Sequence, residues 1–386
     1  MRIPFLPLII NRILIVILGV FSTILINQIT ETTLTKGDRY VQSLYQGSHV
    51  YTYIQPLKPL VNIWAVWDTK WYVSIADDGY STQRRPYTRV DNKGFLPVYP
   101  ILLYIFSTFI FSGNTHVAGI VLSNIFLILS LFCIEKLIRS EPKLSTNAGL
   151  RLKDVALYII LFPTSYYLSA IYPESLFLFL SILVFYFVRL RKIALACFIF
   201  SLACLTKTFG IFLIIPILMY LFTERKEVSI SKLLSYIGIS ISLPLLYCVY
   251  MYYISGDALA YIHIQQAFFY HTWENPLAII FASLIIKNPF VLWSTAFIVY
   301  GLILIGFAAK KIPVSYTAYA LCCLLFAPAT GVLDGSSRYM ASLFVLPIAL
   351  AACVTEEKNK YIWYTSFAII QGFAIFWWVI GAGFAS

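Results

Sequence analysis

The segment Asn62-Ile63-Trp64-Ala65-Val66-Trp67-Asp68-Thr69-Lys70-Trp71-Tyr72-Val73-Ser74-Ile75-Ala76-Asp77-Asp78-Gly79-Tyr80 sets one carboxylate among aromatic side chains. Read as a helix with Trp64 at zero, Trp71 falls at about 340°, Ile75 at about 20° and Tyr72 at about 80°. Asp68 falls within that face at about 40°, and Asp77 on the other side at about 220°. Gly79 is a natural helix stop. A charge inside an aromatic face is costly unless something uses it. Two uses fit: Asp68 accepts a proton from a substrate, or it bonds a neighbouring group or backbone amide and braces the helix. Asp77 and Asp78 read as solvated charges, with a shared metal as the other use of paired acids.

Three more charges interrupt otherwise apolar stretches. Glu174 stands at a tight turn between two apolar runs, Lys207 breaks the stretch from Ile193 to Phe222, and Arg338 heads the run that follows it. The polar segment 255–275 holds Asp257, His263, Gln265, Gln266, His271, Trp273 and Glu274, and is a candidate cover for a site. His263 and His271 lie eight apart, a spacing that makes no metal site compelling. No Asp-x-Asp and no Cys/His metal pattern occurs, so no cofactor is assigned and no motif supports a divalent metal.

The elements that position these residues are membrane helices. Hydrophobic residues make up 60% of the 386 and charged residues 12%, with a mean hydropathy of +0.82. That leaves too little polar surface for a water-soluble globule. The net charge of +11 is dealt out in small clusters between apolar runs, which fits a lipid bilayer as partner and no nucleic acid. All seven cysteines lie inside apolar runs. The chain reads as a single all-α integral membrane domain over 1–386, with spans near 7–29, 116–138, 155–172, 175–188, 193–206, 209–222, 233–254, 289–309, 313–330, 339–354 and 361–382. The first is a retained helix, since it lacks a small-x-small cleavage site.

The run 96–111 decides the topology. Placed on the membrane surface, it leaves fifteen Lys and Arg of the later connections on the cytoplasmic side, from Lys136 to Lys360. Placed across the bilayer, it inverts them all. The excess of cytoplasmic Lys and Arg favours the surface position. The long loop 30–115, with Asp68, then lies outside the cytoplasm, together with Glu174, Lys207 and Arg338.

At these residues the sequence resembles a known family. Trp67-Asp68-x-x-Trp71-Tyr72-x-x-Ile75-Ala76-x-x-Gly79-Tyr80 is similar to the opening signature of the second mannosyltransferase of glycosylphosphatidylinositol-anchor synthesis and its prokaryotic relatives. Phe95-Leu96-Pro97-Val98-Tyr99-Pro100, Phe162-Pro163-Thr164-Ser165, Ser169-Ala170-x-Tyr172-x-Glu174-Ser175-Leu176-Phe177, Leu205-Thr206-Lys207-x-x-Gly210 and Ser336-Ser337-Arg338-Tyr339 follow in order. Lys207 departs from the family's usual Arg, Ser337 from a common Pro, and Pro173 from the usual Thr.

The resemblance implies the fold of the GT-C superfamily of membrane glycosyltransferases, with a long first outer loop that carries an acidic residue and interfacial helices. It implies a polyprenyl- or dolichyl-phosphate sugar donor, mannose by preference, and an acceptor hydroxyl on a glycolipid, glycan or protein, with inversion at the anomeric carbon. Asp68 is then the catalytic base, with Glu174 orienting the acceptor or supporting Asp68. Lys207 and Arg338 bind the donor phosphate, and Trp64, Trp67, Trp71, Tyr72, Tyr99 and Tyr339 line the sugar and acceptor. The short chain, without a retention signal, favours a prokaryotic plasma membrane over the endoplasmic reticulum. The competing readings are a transporter or flippase of lipid-linked sugars, and a non-catalytic subunit that binds one.

Overall fold

The computed structural model describes residues 5–33, 59–87, 90–224, 228–269, 271–286, 288–333 and 335–379. Residues 34–58 of the long loop 30–115 lie outside the described residues, as do Arg2, Arg225, Lys226 and Lys287 among the charges used for the expected topology. The described residues are helical and contain no strand. Counting helices of six residues or more, the order is α1 (Phe5–Thr33), α2 (Thr69–Asp78), α3 (Val98–Phe109), α4 (Thr115–Ser140), α5 (Leu152–Leu161), α6 (Glu174–Arg189), α7 (Ile193–Cys204) and α8 (Ile214–Thr223). Then come α9 (Ile230–Ser255), α10 (Ala260–Phe269), α11 (Pro276–Ile285), α12 (Pro289–Ala308), α13 (Val314–Ala329), α14 (Ser336–Ala341), α15 (Val345–Cys353) and α16 (Glu357–Val379).

Among the described residues, five helices are long and apolar enough to cross a membrane: α1 over Phe5–Leu25, α4, α9, α12 and α16. Their ends follow local chemistry. Asn114 caps α4 by accepting from the Val117 amide, and Ser229 caps α9 by accepting from Lys232. Asn275 and Asn288 cap α11 and α12, each followed by a proline at the first helical position, where its missing N–H costs nothing. The centre of the bundle is α6 packed between α4 and α7. Leu122, Leu127 and Leu131 of α4 are fully buried, as are Leu178 and Val184 of α6. By contrast, α9 turns Leu234, Leu245, Leu246 and Tyr253 outward, as a lipid-facing helix does.

Several expected spans are interrupted. The span 155–172 is helical only to Leu161, because Pro163 removes a donor and forces Phe162 out of helical geometry. The carbonyls freed there are shared by Ser165, whose hydroxyl donates to Ile160 and whose amide donates to Phe162, and by α16. Gln371 Nε2 donates to the oxygens of Ile160 at 3.3 Å and Phe162 at 3.0 Å, and Asn11 of α1 donates to Gln371 Oε1 at 2.6 Å. A broken helix inside a membrane needs such internal partners. The span 209–222 begins as a 3-10 turn, Thr208–Leu213, before α8, and 339–354 is divided between α14 and α15. The segment 255–275 contains a helix, α10, and α11 is an apolar helix absent from the expected set.

Candidate active site

The loop before α2 is clamped from beneath. The Trp64 carbonyl accepts the Ile171 amide at 3.1 Å, and Trp378 Nε1 donates to the Ile63 carbonyl at 2.7 Å. The Asp68 amide donates to Tyr172 Oη at 2.8 Å, and that hydroxyl donates to the Val66 carbonyl at 2.9 Å. Between these peptides Trp67 is left-handed, with φ 59°. Such a backbone in a bulky residue costs about 1–3 kcal/mol and persists only where its surroundings hold it.

This overturns the expected helical face. The helix α2 starts at Thr69 with Asp68, still in right-handed helical geometry, at its N-cap, and the left-handed Trp67 before it takes Trp64 out of phase with Trp71 and Tyr72. Asp68 instead occupies the N-cap position, where an aspartate ordinarily bonds the amides of the first turn. Its side chain makes no such bond. It reaches across the bundle, and Arg338 Nη1 lies 2.6 Å from Asp68 Oδ2.

The four charges singled out by the sequence come together here. Lys207 Nζ sits 2.8 Å from Glu174 Oε1, and Arg338 Nε lies 3.3 Å from the same oxygen, without the alignment of a hydrogen bond. Glu174 Oε2 is buried and has no hydrogen-bond partner. The side chain of Glu174 is 1% exposed, Lys207 7%, Arg338 12% and Asp68 28%, so the chain of charges rises from a sealed base toward an open rim at Asp68. Burial pushes the Lys207 ammonium down to about 8, and Glu174 opposes the fall. Burial also works against the Arg338 charge, but Tyr339, Asp68 and Glu174 outweigh it and raise its pKa above the usual arginine value.

Each charge is set by a local device. At Gly210 a Cβ would collide with the Ala203 carbonyl, so only glycine lets the chain double back beside Lys207. Gly335, with φ 77°, opens α14 and delivers Arg338. Thr164, from the broken stretch after α5, donates to the Ser337 carbonyl at 2.7 Å and ties α14 to the site. Aromatic rings hold the cations. Lys207 Nζ lies 4.5 Å from the Tyr339 ring centre, and the Arg338 guanidinium lies 5.3 Å from that of Tyr172 and 5.1 Å from that of Tyr339.

The expected aromatic lining divides into two groups. Trp67, Trp71 and Tyr339 are partly buried; Tyr339 Oη accepts from Arg338 Nη2 at 3.3 Å, and Trp71 stacks on Phe95. Trp67 Nε1 is buried without a partner. Trp64, Tyr72 and Tyr99 are buried in the core, where Tyr72 meets Tyr99 edge to face and the Tyr99 hydroxyl lies 3.1 Å from Ser123 Oγ. Asp77 lies apart, exposed, and accepts from Thr115 Oγ1. Tyr172 was not among the expected site residues, although it stands two positions before Glu174 in a quoted motif.

The segment 255–275 bridges the two flanks of the site. Asp257 accepts from Tyr87 at 3.1 Å and lies 2.8 Å from His263 Nδ1, and Gln265 Nε2 donates to the Gly94 carbonyl at 2.8 Å. At its other end the amides of Thr272 and Glu274 donate to the carbonyls of Thr330 and Ala329. Among the described residues no three His, Cys, Asp or Glu gather where they could hold a metal. A small, partly open pocket lined by Phe177, Phe209, Tyr319, Leu324 and Met340 among others adjoins the cations through Tyr339.

The profile of a family described as Mannosyltransferase (PIG-V) matches residues 6–273, more than half of the chain. The chain belongs to that mannosyltransferase family. Asp68, Glu174 and Lys207 fall inside the matched stretch, and the fold brings Arg338 and Tyr339 to them from beyond it. No curated protein and no solved structure matches the chain. Family membership, with five helices suited to crossing a bilayer, makes this mannosyltransferase-family chain a multi-pass membrane protein of glycosyltransferase type.

Proposed function

We propose that this chain transfers a mannose from a polyprenyl- or dolichyl-phosphate donor to an acceptor hydroxyl, with inversion, on the extracytoplasmic face of a GT-C-like bundle of about eleven spans. The observation that carries the reading is the carboxylate of Asp68. It occupies a helix N-cap yet leaves the cap unmade, and pairs with an arginine at the open end of a buried charge network.

Sugar transfer from a lipid phosphate needs a base for the acceptor proton, cations for the leaving phosphate, and exclusion of water. The four charges sum to zero. An arriving phosphate diester adds one negative charge and competes with Asp68 and Glu174 for Arg338 and Lys207. As the acceptor oxygen bonds the anomeric carbon, its proton passes to Asp68. The bond to the phosphate oxygen breaks, and its electron pair leaves as a second negative charge on the phosphate. Neutralising Asp68 therefore frees Arg338, its partner, for the leaving group at the step that needs it. Glu174, deeper, hydrogen-bonded to Lys207 and in ion-pair range of Arg338, keeps both cations in place between turnovers. The segment 255–275 excludes water, and Trp67, Trp71 and Tyr339 face the sugar.

The test is turnover of polyprenyl-phosphate mannose by purified protein, with Asp68→Asn and Asp77→Asn beside the wild type. The expected loss for Asp68→Asn is about 10²–10⁴-fold, with Asp77→Asn close to wild type. Absence of transfer by wild-type protein with every acceptor class, or equal loss in both variants, contradicts the reading.

A further inference from the structure

We infer that Tyr172 is a positioning residue for this reaction: its one buried hydroxyl holds the peptide that carries Asp68. The inference rests on Asp68 being the base, as proposed above. Tyr172 Oη spans the two peptides on either side of Trp67, accepting from the Asp68 amide at 2.8 Å and donating to the Val66 carbonyl at 2.9 Å. Those bonds hold the left-handed turn at Trp67, with φ 59°, immediately before Asp68, whose side chain leaves its own cap unmade and pairs with Arg338.

The same residue holds Asp68 a second way. Its ring lies under the Arg338 guanidinium, at 5.3 Å, and Arg338 pairs with Asp68 Oδ2. Backbone and carboxylate of the base are thus both referred to one side chain. Tyr172 is itself immobile. Its ring is fully buried and packs against Tyr72, Tyr167 and Trp378. Trp378 in turn bonds the Ile63 carbonyl, so the clamp extends to the start of the loop. A hydroxyl that filled a hole in the core would need one partner. This one takes both polar groups of a strained turn.

Tyr172→Phe removes the oxygen and keeps the ring, its packing and the stacked arginine. The expected result is a fall in kcat of about tenfold, the scale of losing one or two neutral hydrogen bonds, with donor KM unchanged within about twofold. In an Asp68→Asn background the same change should add almost nothing, because a base that cannot accept a proton gains nothing from being aimed. Hydrogen exchange at the Asp68 amide should quicken in Tyr172→Phe. Unchanged kcat, or a loss of the same size in both backgrounds, overturns the inference. If Asp68→Asn alone retains turnover, the reading of Asp68 as base has failed, an outcome distinct from a silent Tyr172→Phe beside an inactive Asp68→Asn. Should Tyr172→Phe not fold, 3,5-difluorotyrosine at position 172 weakens the acceptor and nearly keeps the volume. A fall in kcat at constant KM supports the clamp, and an unchanged kcat overturns it.

Discussion

Two charge clusters sit at opposite ends of α16 and are built from the same residue types, yet they differ in what fixes them. At the N-terminal end of the helix, Lys360 Nζ lies 2.7 Å from Asp154 Oδ2 and 3.3 Å from Glu357 Oε1, Tyr364 donates to Asp154 Oδ1 at 2.9 Å, and Arg151 pairs with Glu357. Asp154 and Glu357 each occupy the first turn of a helix, where acids are favoured by the helix dipole. Lys360 follows Glu357 by three positions, on the same helix face. Two short stretches of sequence and ordinary helix chemistry account for the whole cluster.

At the other end, beyond Trp378, the cluster is drawn from four distant stretches, at Asp68, Glu174, Lys207 and Arg338. The local rule is on offer to Asp68 and is not taken. The backbone beside it is strained, and tyrosines enclose the cations. Departures from local rules with no structural return mark functional sites. One cluster holds the bundle together; the other is held in place by the bundle.

That contrast is breakable. The largest effect on stability belongs to Lys360→Met, which leaves Asp154 buried without its cation. It should cost about 3–5 kcal/mol, read as a lowered melting temperature, while the folded fraction keeps its turnover. A drop in kcat with unchanged melting would assign the far cluster to catalysis. Arg338→Ala should weaken donor binding about ten- to hundredfold, the scale of roughly 1.5–3 kcal/mol for a bond to a charged group. Donor titration of the folded variant checks it, and unchanged affinity removes Arg338 from the phosphate site.

A gentler probe is pH. With the Lys207 pKa lowered to about 8, the ammonium is present below that value and lost above it. Donor affinity should therefore fall as pH rises through about 8, by roughly tenfold for one lost charge-assisted bond. Lys207→Arg should abolish the step, because an arginine stays charged across that range. A flat profile in wild type contradicts the phosphate role of Lys207. The smallest effect belongs to Arg151→Ala. Its pair with Glu357 is exposed, so the loss should be at most about 1 kcal/mol, with turnover intact.

The sequence made some of this legible and hid the rest for physical reasons. Asp68, Glu174, Lys207 and Arg338 stood out because a charge beside apolar runs is rare, and the structure gathers them into one network. The apolar periodicity located α4, α6, α9 and α12 closely. What failed was continuity. A period of 3.6 carried Trp64 into one helix with Asp68 and Trp71, but nothing in the residue types announced a left-handed Trp67, because the hydroxyl that holds it comes from Tyr172, about a hundred positions on. The apolar run 155–172 was read through Pro163, which breaks it. The freed carbonyls find a local partner in Ser165 and a distant one in Gln371, and the second is a contact no window of sequence contains. The short helix α11 was missed because ten apolar residues fall well below the length of a span.

The most direct measurement places Asp68→Asn and Asp154→Asn side by side, with turnover at saturating lipid-phosphate mannose and melting temperature read from the same detergent preparation. Both changes remove one negative charge and almost no volume. The account predicts that Asp68→Asn loses at least about two decades of turnover with its melting temperature nearly unchanged, and that Asp154→Asn melts lower and turns over normally. Near-normal turnover in Asp68→Asn, with the loss appearing instead as a lowered melting temperature, would contradict it.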